Sequence, residues 1–308
     1  MKLRSNLMTI IATIAVMSAF TFTSCDKNDE EEKPKNIVEL ASSNTDFSIL
    51  VSALQKAELV TTLQGSGPFT VFAPTNAAFN QLFSTLGITD VNALTKEELT
   101  PILLYHVLGA KVKSMDLVSG YVSTLSPGVE NTKASLRIDA EKVKLNGDVS
   151  VTSADLEATN GVIHVIDKVL LPPTVVDIAL ANENFSILVS ALVKAELVET
   201  LKGTGPFTVF APTNDAFNAL FTDLGVTGIE QISKEQLSNI LLYHVVSGNV
   251  RSNQLSSGNF ATLNGSSISV NVGTSVTINQ NTSVVLADVQ GTNGVIHVIN
   301  KVLLPPTR

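Results

Sequence analysis

The chain has 308 residues, of which 44% are hydrophobic and 16% charged, and its formal net charge is −8. This composition is apolar enough for packed cores and excludes a disordered chain. The acidic balance repels phosphate backbones, so we expect no nucleic-acid partner, and the lack of Trp disfavours surfaces on which bases or sugars stack.

The first 24 residues have the order of a secretory signal. Lys2 and Arg4 are positively charged, and an apolar run follows from Leu7 to Phe22. Thr and Ser residues interrupt this run, and it is too short for a good membrane-spanning helix. We therefore predict that residues 1–24 are removed on export. Their removal leaves 18 basic against 28 acidic residues, a formal charge of −10.

The only cysteine, Cys25, follows this signal directly, so no intramolecular disulfide can form. Its position resembles the lipobox of bacterial lipoproteins, in which this cysteine carries the lipid, although Phe22 stands where Leu is usual. Residues 25–35 form an acidic, solvated tether, which resembles an export signal to the outer face of the outer membrane. We expect an exported outer-membrane lipoprotein that faces outward and contacts the membrane through its lipid only. A free thiol and a plain spacer are the alternatives.

The rest of the chain repeats itself. Residues 47–76 and 185–214 differ at four of 30 positions, and residues 160–174 recur at 293–307. Each repeat is long enough to bury a core of its own, so two tandem domains are expected, divided at Pro172-Pro173. We call them copy one, residues 36–172, and copy two, residues 173–308.

The first elements of copy one are predicted from apolar spacing. Apolar residues from Phe47 to Ala57 recur at helical spacing, and Thr45 or Asp46 is expected to cap this helix. After a glycine-rich break, Phe69–Pro74 is predicted to be a short strand that the proline ends.

Two further helices follow. Thr75 or Asn76 is expected to cap the first one, and Thr95 with Glu98 has the capping-box pattern for the second. Copy two repeats this box from Ser233 to Gln236. Pro101 falls inside the second helix, where we expect a kink or a late start.

The second half of each copy alternates between apolar and polar residues and is rich in Val, Ile, Ser and Thr. Asn-Gly at 146–147 and at 264–265 predict hairpin turns. Because helices come first and strands follow, the expected class is α+β rather than a parallel sheet.

Three segments carry a resemblance to a known family. Residues 70–79 resemble the first signature motif of fasciclin domains, Tyr105-His106 their central pair, and 160–167 their second signature, and all three return in copy two. The resemblance implies two tandem fasciclin-like domains, each a wedge of β-strands flanked by helices. It also implies a role in cell adhesion and matrix contact.

The four histidines raise the question of a metal or catalytic site. His106 and His244 have no second ligand at helical spacing, and His164 and His297 share their strand face with apolar residues. We expect all four to be structural, with ring nitrogens bonded to buried backbone groups. The family resemblance implies a second interpretation, in which the Tyr-His pairs form an adhesion epitope: Tyr105, His106, Tyr243 and His244.

No hydrolase, metalloprotease, nucleotide-binding or calcium-loop motif occurs in the chain. We therefore expect no enzymatic activity, no cofactor and no metal. The expected function is adhesion to extracellular matrix, a cell-surface protein or a glycan. The alternative is an accessory protein of the envelope that binds a glycan or small ligand, which needs a concave pocket.

Overall fold

The structure, a computed structural model, describes residues 33–306. From residue 34 onward the chain forms one compact unit that contains both copies. The predicted signal segment 1–24, the lipidation site Cys25 and most of the predicted tether lie outside the described residues. The predicted domain boundaries stay predictions.

The helices precede most of the strands in copy one. Its helices are α1 (Ile37–Ser42), α2 (Ser48–Lys56), α3 (Val60–Gln64), α4 (Asn76–Leu86) and α5 (Lys96–Tyr105). Its strands are β1 (Phe69–Pro74), β2 (Val107–Leu108), β3 (Gly120–Pro127), β4 (Lys133–Asp139), β5 (Lys144–Leu145), β6 (Val149–Ala158) and β7 (Gly161–Ile166).

Copy two has the same order of elements. Its helices are α6 (Val175–Leu180), α7 (Ser186–Lys194), α8 (Val198–Lys202), α9 (Asn214–Leu224) and α10 (Lys234–Tyr243). Its strands are β8 (Phe207–Pro212), β9 (Val245–Ser247), β10 (Gly258–Ala261), β11 (Ser267–Val272), β12 (Val276–Ile278), β13 (Thr282–Gln290) and β14 (Gly294–Ile299).

Each copy contains a seven-stranded mixed sheet. The strand order is β2-β1-β7-β6-β5-β4-β3 in copy one and β9-β8-β14-β13-β12-β11-β10 in copy two. Within each sheet one pair is parallel, β1 with β7 and β8 with β14, and these strands carry the two signature motifs. The other neighbours are antiparallel. The α+β class is therefore confirmed.

Strand β1 separates two layers of apolar side chains because successive residues of a strand face opposite sides. Val71 and Ala73 belong to a core that the helices cover, whereas Phe72 belongs to a smaller core on the other face of the sheet. Copy two repeats both layers, with Phe210 in the place of Phe72.

Several local predictions can be compared with the structure. Strand β1 has the predicted bounds, and both capping boxes are present. The cap before α2 is wrong, because a 3-10 turn precedes this helix and Asn44 caps the turn in place of Thr45 or Asp46. The late start at Pro101 is also wrong, since α5 begins at its capping box, directly after Thr95.

Candidate functional site

The Tyr-His pair of each copy lies at the end of the helix that precedes the short edge strand. His106 is 2% exposed, its Nδ1 lies 2.8 Å from the carbonyl oxygen of Ile102, and its Nε2 accepts a hydrogen bond of 2.9 Å from the backbone N–H of Leu170. A backbone N–H can only donate, so Nε2 is unprotonated and the proton is on Nδ1. Burial lowers the pKa of His106 to about 4.

The second histidine of each copy has the opposite tautomer. The Nδ1 of His164 accepts from the backbone N–H of Asp155 at 3.3 Å, and its Nε2 lies 2.9 Å from the carbonyl oxygen of Val112. His297 makes the corresponding contacts with Asp288 and Val250. Each ring therefore joins two distant backbone segments, as expected for structural histidines.

The tyrosine of the pair fastens α5 to the outer strands. Tyr105 is fully buried, donates to the carbonyl of Ser135 at 2.8 Å and accepts from the side-chain amide of Asn146 at 3.0 Å. Tyr243 makes the same two bonds in copy two, and His244 repeats those of His106. Because the pairs are buried, a partner meets only the surface that they support, and the adhesion epitope stays a prediction.

The described residues contain no group of three His, Cys, Asp or Glu side chains that could hold a metal ion. Within the same part of the chain, no helix is long and apolar enough to cross a membrane. The buried polar side-chain atoms of residues 33–306 all have hydrogen-bond partners, so none is left aimed at a ligand.

Asn76 has a role that the sequence pattern did not reveal. Thr75, rather than Asn76, caps α4. The amide of Asn76 reaches back to the start of α2, where its oxygen accepts from the backbone N–H of Ile49 at 2.9 Å and its nitrogen donates to the carbonyl of Thr45 at 2.9 Å. Asn214 makes the equivalent bonds in copy two. The residue thus joins the first turn of α4 to the start of α2.

The two copies contact each other through the outer strands of copy one. Tyr121 packs against the core of copy two, and its hydroxyl accepts from the side-chain amide of Asn182 at 3.0 Å. Arg137 donates to the carbonyl of Ala181 at 3.3 Å. Lys142 forms an ion pair of 2.6 Å with Glu183, and the hydroxyl of Ser135 accepts from the backbone N–H of Gln290 at 2.9 Å.

At two positions that face copy one, copy two has amides where copy one has charged side chains. Gln290 is 3% exposed and donates from its amide to Asn249 at 3.0 Å and to the carbonyl of Gly294 at 2.8 Å. The same positions in copy one are Glu157 and Lys111, which form an exposed ion pair of 2.8 Å. Buried amides need no counter-ion, whereas a buried carboxylate does.

A glycine allows the close approach of the copies. Gly147 has φ +84°, and a Cβ on it would lie 2.7 Å from the carbonyl oxygen of Ala181. The corresponding residue of copy two, Gln280, adopts a similar backbone with φ +71°. Since a side chain is tolerated in this conformation, the glycine of copy one is required by the neighbouring copy rather than by the turn.

An open cleft of about 710 Å³ lies between the copies. Three cavities that lie within a single copy are far smaller, between about 10 and 70 Å³. The cleft has an apolar wall and paired charges at its rim, such as Lys168 with Asp148 at 2.8 Å. Its wall includes Tyr121, Arg137, Leu171, Pro173, Ile178 and Leu180.

Sequence reasoning missed this interface. Positions that face the other copy differ between the repeats, although most other positions of these strands differ as well. Tyr121 stands where copy two has Asn259, and Arg137 where it has Ser269. Tyr121 and Arg137 are cross-strand neighbours in copy one, as are Asn259 and Ser269 in copy two.

The chain is a tandem pair of α+β domains. Each domain has a mixed sheet that helices cover and a buried Tyr-His pair that fastens a helix to the sheet. The fasciclin domain model matches residues 45–172 and 183–305. The chain therefore belongs to the fasciclin domain family, as its signature segments predicted.

Relatives of this chain occur in bacteria and animals. Protein sll1483 of Synechocystis is 46% identical over 133 residues, which are 43% of this chain and 74% of that protein. The transforming growth factor-beta-induced protein ig-h3 of Sus scrofa is 33% identical over 283 residues, and human periostin 32% over 254 residues. These matches cover 89% and 79% of this chain, but only 38% and 29% of the two animal proteins.

A solved structure also resembles the chain. The domain pair of fasciclin I, an insect cell adhesion molecule, is 22% identical, with a TM-score of 0.47, and the match covers 82% of this chain and 92% of that one. At this identity the likeness concerns the fold alone.

Proposed function

We propose that this chain is a non-catalytic interaction protein that adheres to extracellular matrix, a cell-surface protein or a glycan. One observation carries the proposal: the nearly identical segments 47–76 and 185–214 fold alike within one compact unit. Several of their exposed residues, among them Thr62 and Thr200, recur in both copies, although the four positions at which the segments differ are exposed as well. Membership of the fasciclin family supports an adhesive role.

The repeated surface favours weak sites that act together. When two sites belong to one molecule, the second binding event becomes intramolecular, and the overall affinity rises without any new contact. The buried Tyr-His pairs contribute by fastening the fold behind it, since their hydrogen bonds join α5 to the outer strands and to the backbone of Leu170. We keep Tyr105-His106 and Tyr243-His244 as the proposed framework of the epitope rather than as its contact atoms.

The binding proposal is tested on the full chain with arginine substitutions in the repeated surface. Thr62→Arg and Thr200→Arg are made singly and together, and retention is measured on a decellularised matrix extract and on intact cells. Each single variant should lose the gain from bivalency, about 10²-fold or more, and the double variant should lose binding. Exchange of Gln55 and Val193, where the copies differ, is the matched control and should have no effect.

A double variant that binds like the native chain would show that this surface is not used. Equal binding by the native chain and both single variants would remove bivalency while leaving adhesion possible. The two results can be told apart, because the double variant tests whether this surface binds at all and the single variants test whether two sites act together.

We also propose that the chain is an outer-membrane lipoprotein, with a signal at residues 1–24, a lipid on Cys25 and a tether over 25–35. The residue pattern of the first 35 residues supports this proposal. Intact mass of the native protein should show an acylated Cys25 at the N-terminus. Protease added to whole cells should cleave the native chain, and Cys25→Ala should abolish its surface display.

The alternative function, binding of a glycan or small ligand by an envelope accessory protein, is favoured by the cleft between the copies. Its volume of about 710 Å³ lies in the range of small-ligand sites. A screen of glycans and small metabolites with Leu180→Arg, which places a charge in the cleft wall, tests it. A ligand bound by the native chain and lost in this variant would favour the alternative over adhesion.

A further inference from the structure

The most exposed large apolar side chains of the described residues belong to one short loop of copy one. Met115 is 85% exposed and Val118 is 76% exposed. Both lie in the loop that joins β2 to β3. Single exposed apolar residues are ordinary on protein surfaces, but two of them on one projecting loop leave apolar area in water without a counterpart.

Hydrogen bonds and apolar packing fix this loop to the domain. Ser114 donates its backbone N–H to the carboxylate of Asp155 at 2.8 Å, and its hydroxyl binds the other oxygen of that carboxylate. Ser114–Asp116 is a 3-10 turn, and Leu117 packs against the smaller core of copy one. The exposed apolar residues therefore flank an anchored turn.

Copy two builds the same loop without apolar residues on it. Ser252 binds Asp288 through the same two contacts, at 2.8 Å and 2.5 Å. Asn253 and Ser256 stand where copy one has Met115 and Val118, and they are exposed as well. The fold therefore does not require apolar residues at these positions, and their presence in copy one calls for a partner outside the domain.

The loop lies beside the point where the chain enters copy one. Lys111 and Lys113 bind Glu157 at 2.8 Å and 2.6 Å. Two residues farther along, the backbone N–H of Thr159 donates to the carbonyl of Lys35 at 2.9 Å. In copy two the corresponding Thr292 binds Pro173 of the linker, and copy one covers the neighbouring Gln290. Copy one therefore covers this region of copy two, and the same region of copy one would face the surface to which the chain is anchored.

We infer that the loop 114–118 inserts Met115 and Val118 into the interface of the membrane that holds the lipid on Cys25, which adds a second contact where the sequence predicted contact through the lipid only. The inference rests on the proposed lipidation. A segment of ten residues between anchor and domain spans at most about 35 Å, which keeps the loop close to the bilayer. Apolar side chains gain when they leave water for the boundary of the acyl chains.

The charges select zwitterionic lipid. Glu157 pairs with both lysines beside the loop, Asp116 and Asp155 also act on Lys113, and the chain without residues 1–24 carries a formal net charge of −10. A polybasic attraction to anionic head groups is therefore missing, and insertion should depend little on salt. The partner is a bilayer surface of phosphatidylethanolamine or phosphatidylcholine.

The absence of Trp from the chain makes a direct test possible. Met115→Trp introduces a single fluorescent reporter at the loop, and Asn253→Trp places the same reporter on the matched loop of copy two. Both are made in the lipidated full chain and in Cys25→Ala, and vesicles of phosphatidylcholine and phosphatidylethanolamine are added, with anionic vesicles at low and high salt for comparison. Emission of Met115→Trp should shift to the blue and be quenched by brominated lipid, whereas Asn253→Trp should stay unchanged.

A second variant keeps the test independent of the reporter. Met115→Asn with Val118→Ser installs the residues of copy two, so the fold has a precedent. Vesicle partition of the Cys25→Ala chain should fall about tenfold or more when these two apolar side chains are lost.

Three outcomes would overturn the inference: an equal response of both Trp reporters, no response of Met115→Trp in the lipidated chain, or a response only to anionic vesicles that salt removes. The anchor is judged separately by intact mass. If the chain is acylated but gives no Trp response, the lipidation of Cys25 is supported and the insertion of the loop is contradicted. If the chain made by the cell is not acylated but gives a Trp response, the insertion is supported and the lipidation is contradicted.

Discussion

The face that copy one turns toward copy two and the same face of copy two use the same strands with different side chains. Tyr121 and Arg137 are cross-strand partners on the first face, and Asn259 and Ser269 are partners on the second. The interiors behind these faces keep the same tyrosine and histidine bonds. The repeats have therefore kept what each needs to fold and have changed where one contacts the other.

The largest expected effect comes from restoring the charge that copy two has lost. Gln290→Glu places a carboxylate, which only accepts, against the acceptor oxygens of Asn249 and Gly294, and should cost about 3–5 kcal/mol of unfolding free energy. Urea denaturation measures it. The reciprocal change Glu157→Gln removes only exposed ion pairs and should leave the melting temperature unchanged. Similar losses for both variants would mean that the two faces do not differ.

Acid should weaken both copies through the buried histidine of each Tyr-His pair, and burial lowers the pKa of His297 in copy two as well. The folded pKa of His106 and of His244 is lowered to about 4 from an ordinary 6.5, so between these pH values the unfolded chain binds more protons. Stability therefore falls as the pH drops from 6.5 to 4, by about 3 kcal/mol for each copy. Urea titrations at several pH values measure the slope. His106→Gln and His244→Gln should each flatten the slope of their own copy, and a slope that neither variant changes would contradict this origin.

The contact between the copies should be broken by one side chain. Gly147→Gln installs the residue of copy two against the carbonyl of Ala181 and should cost about 1–3 kcal/mol. The copies should then unfold in separate transitions, and the linker at Pro173 should become more susceptible to protease. Gln280→Gly, the exchange in the other direction, should leave the contact intact. A single sharp transition in Gly147→Gln would show that the contact does not depend on this approach.

The smallest effect concerns the shared interior. Asn76→Ala removes the hydrogen bond to the N–H of Ile49 and should cost about 1 kcal/mol. Asn214→Ala should cost the same in copy two, because the bonds there are equivalent. Thermal unfolding of both variants measures the difference. Unequal losses would show that the two interiors have diverged as well.

Local features of this fold could be predicted because they depend on neighbours in the chain. The bounds of β1 follow from an apolar run that ends at Pro74, and the capping box from Thr95 to Glu98 is a pattern within one helical turn. The structural role of His164 follows from the apolar residues that share its strand face. Each of these inferences needs only a few consecutive residues.

Features that depend on distant partners could not be predicted in this way. The parallel pairing of β1 with β7 joins segments that periodicity treats separately. The bond from Asn76 to Ile49 crosses 27 positions, so a capping pattern assigned the residue to the wrong helix. The interface could not be predicted from the sequence of one copy. Arg137 looks like any exposed strand residue until its partner in the other copy, the carbonyl of Ala181, is known.

The contact between the copies joins two different faces, and a contact of this kind does not close on itself. If both copies carried both faces, each molecule could add another at either end, and a filament would result. The exposed end of copy two has Asn259 and Ser269 in place of the tyrosine and arginine, and the exposed end of copy one has Glu157 and its lysines. Neither end carries the residues that form the contact within the chain, so we expect this contact to stay within one molecule and not to join one molecule to the next.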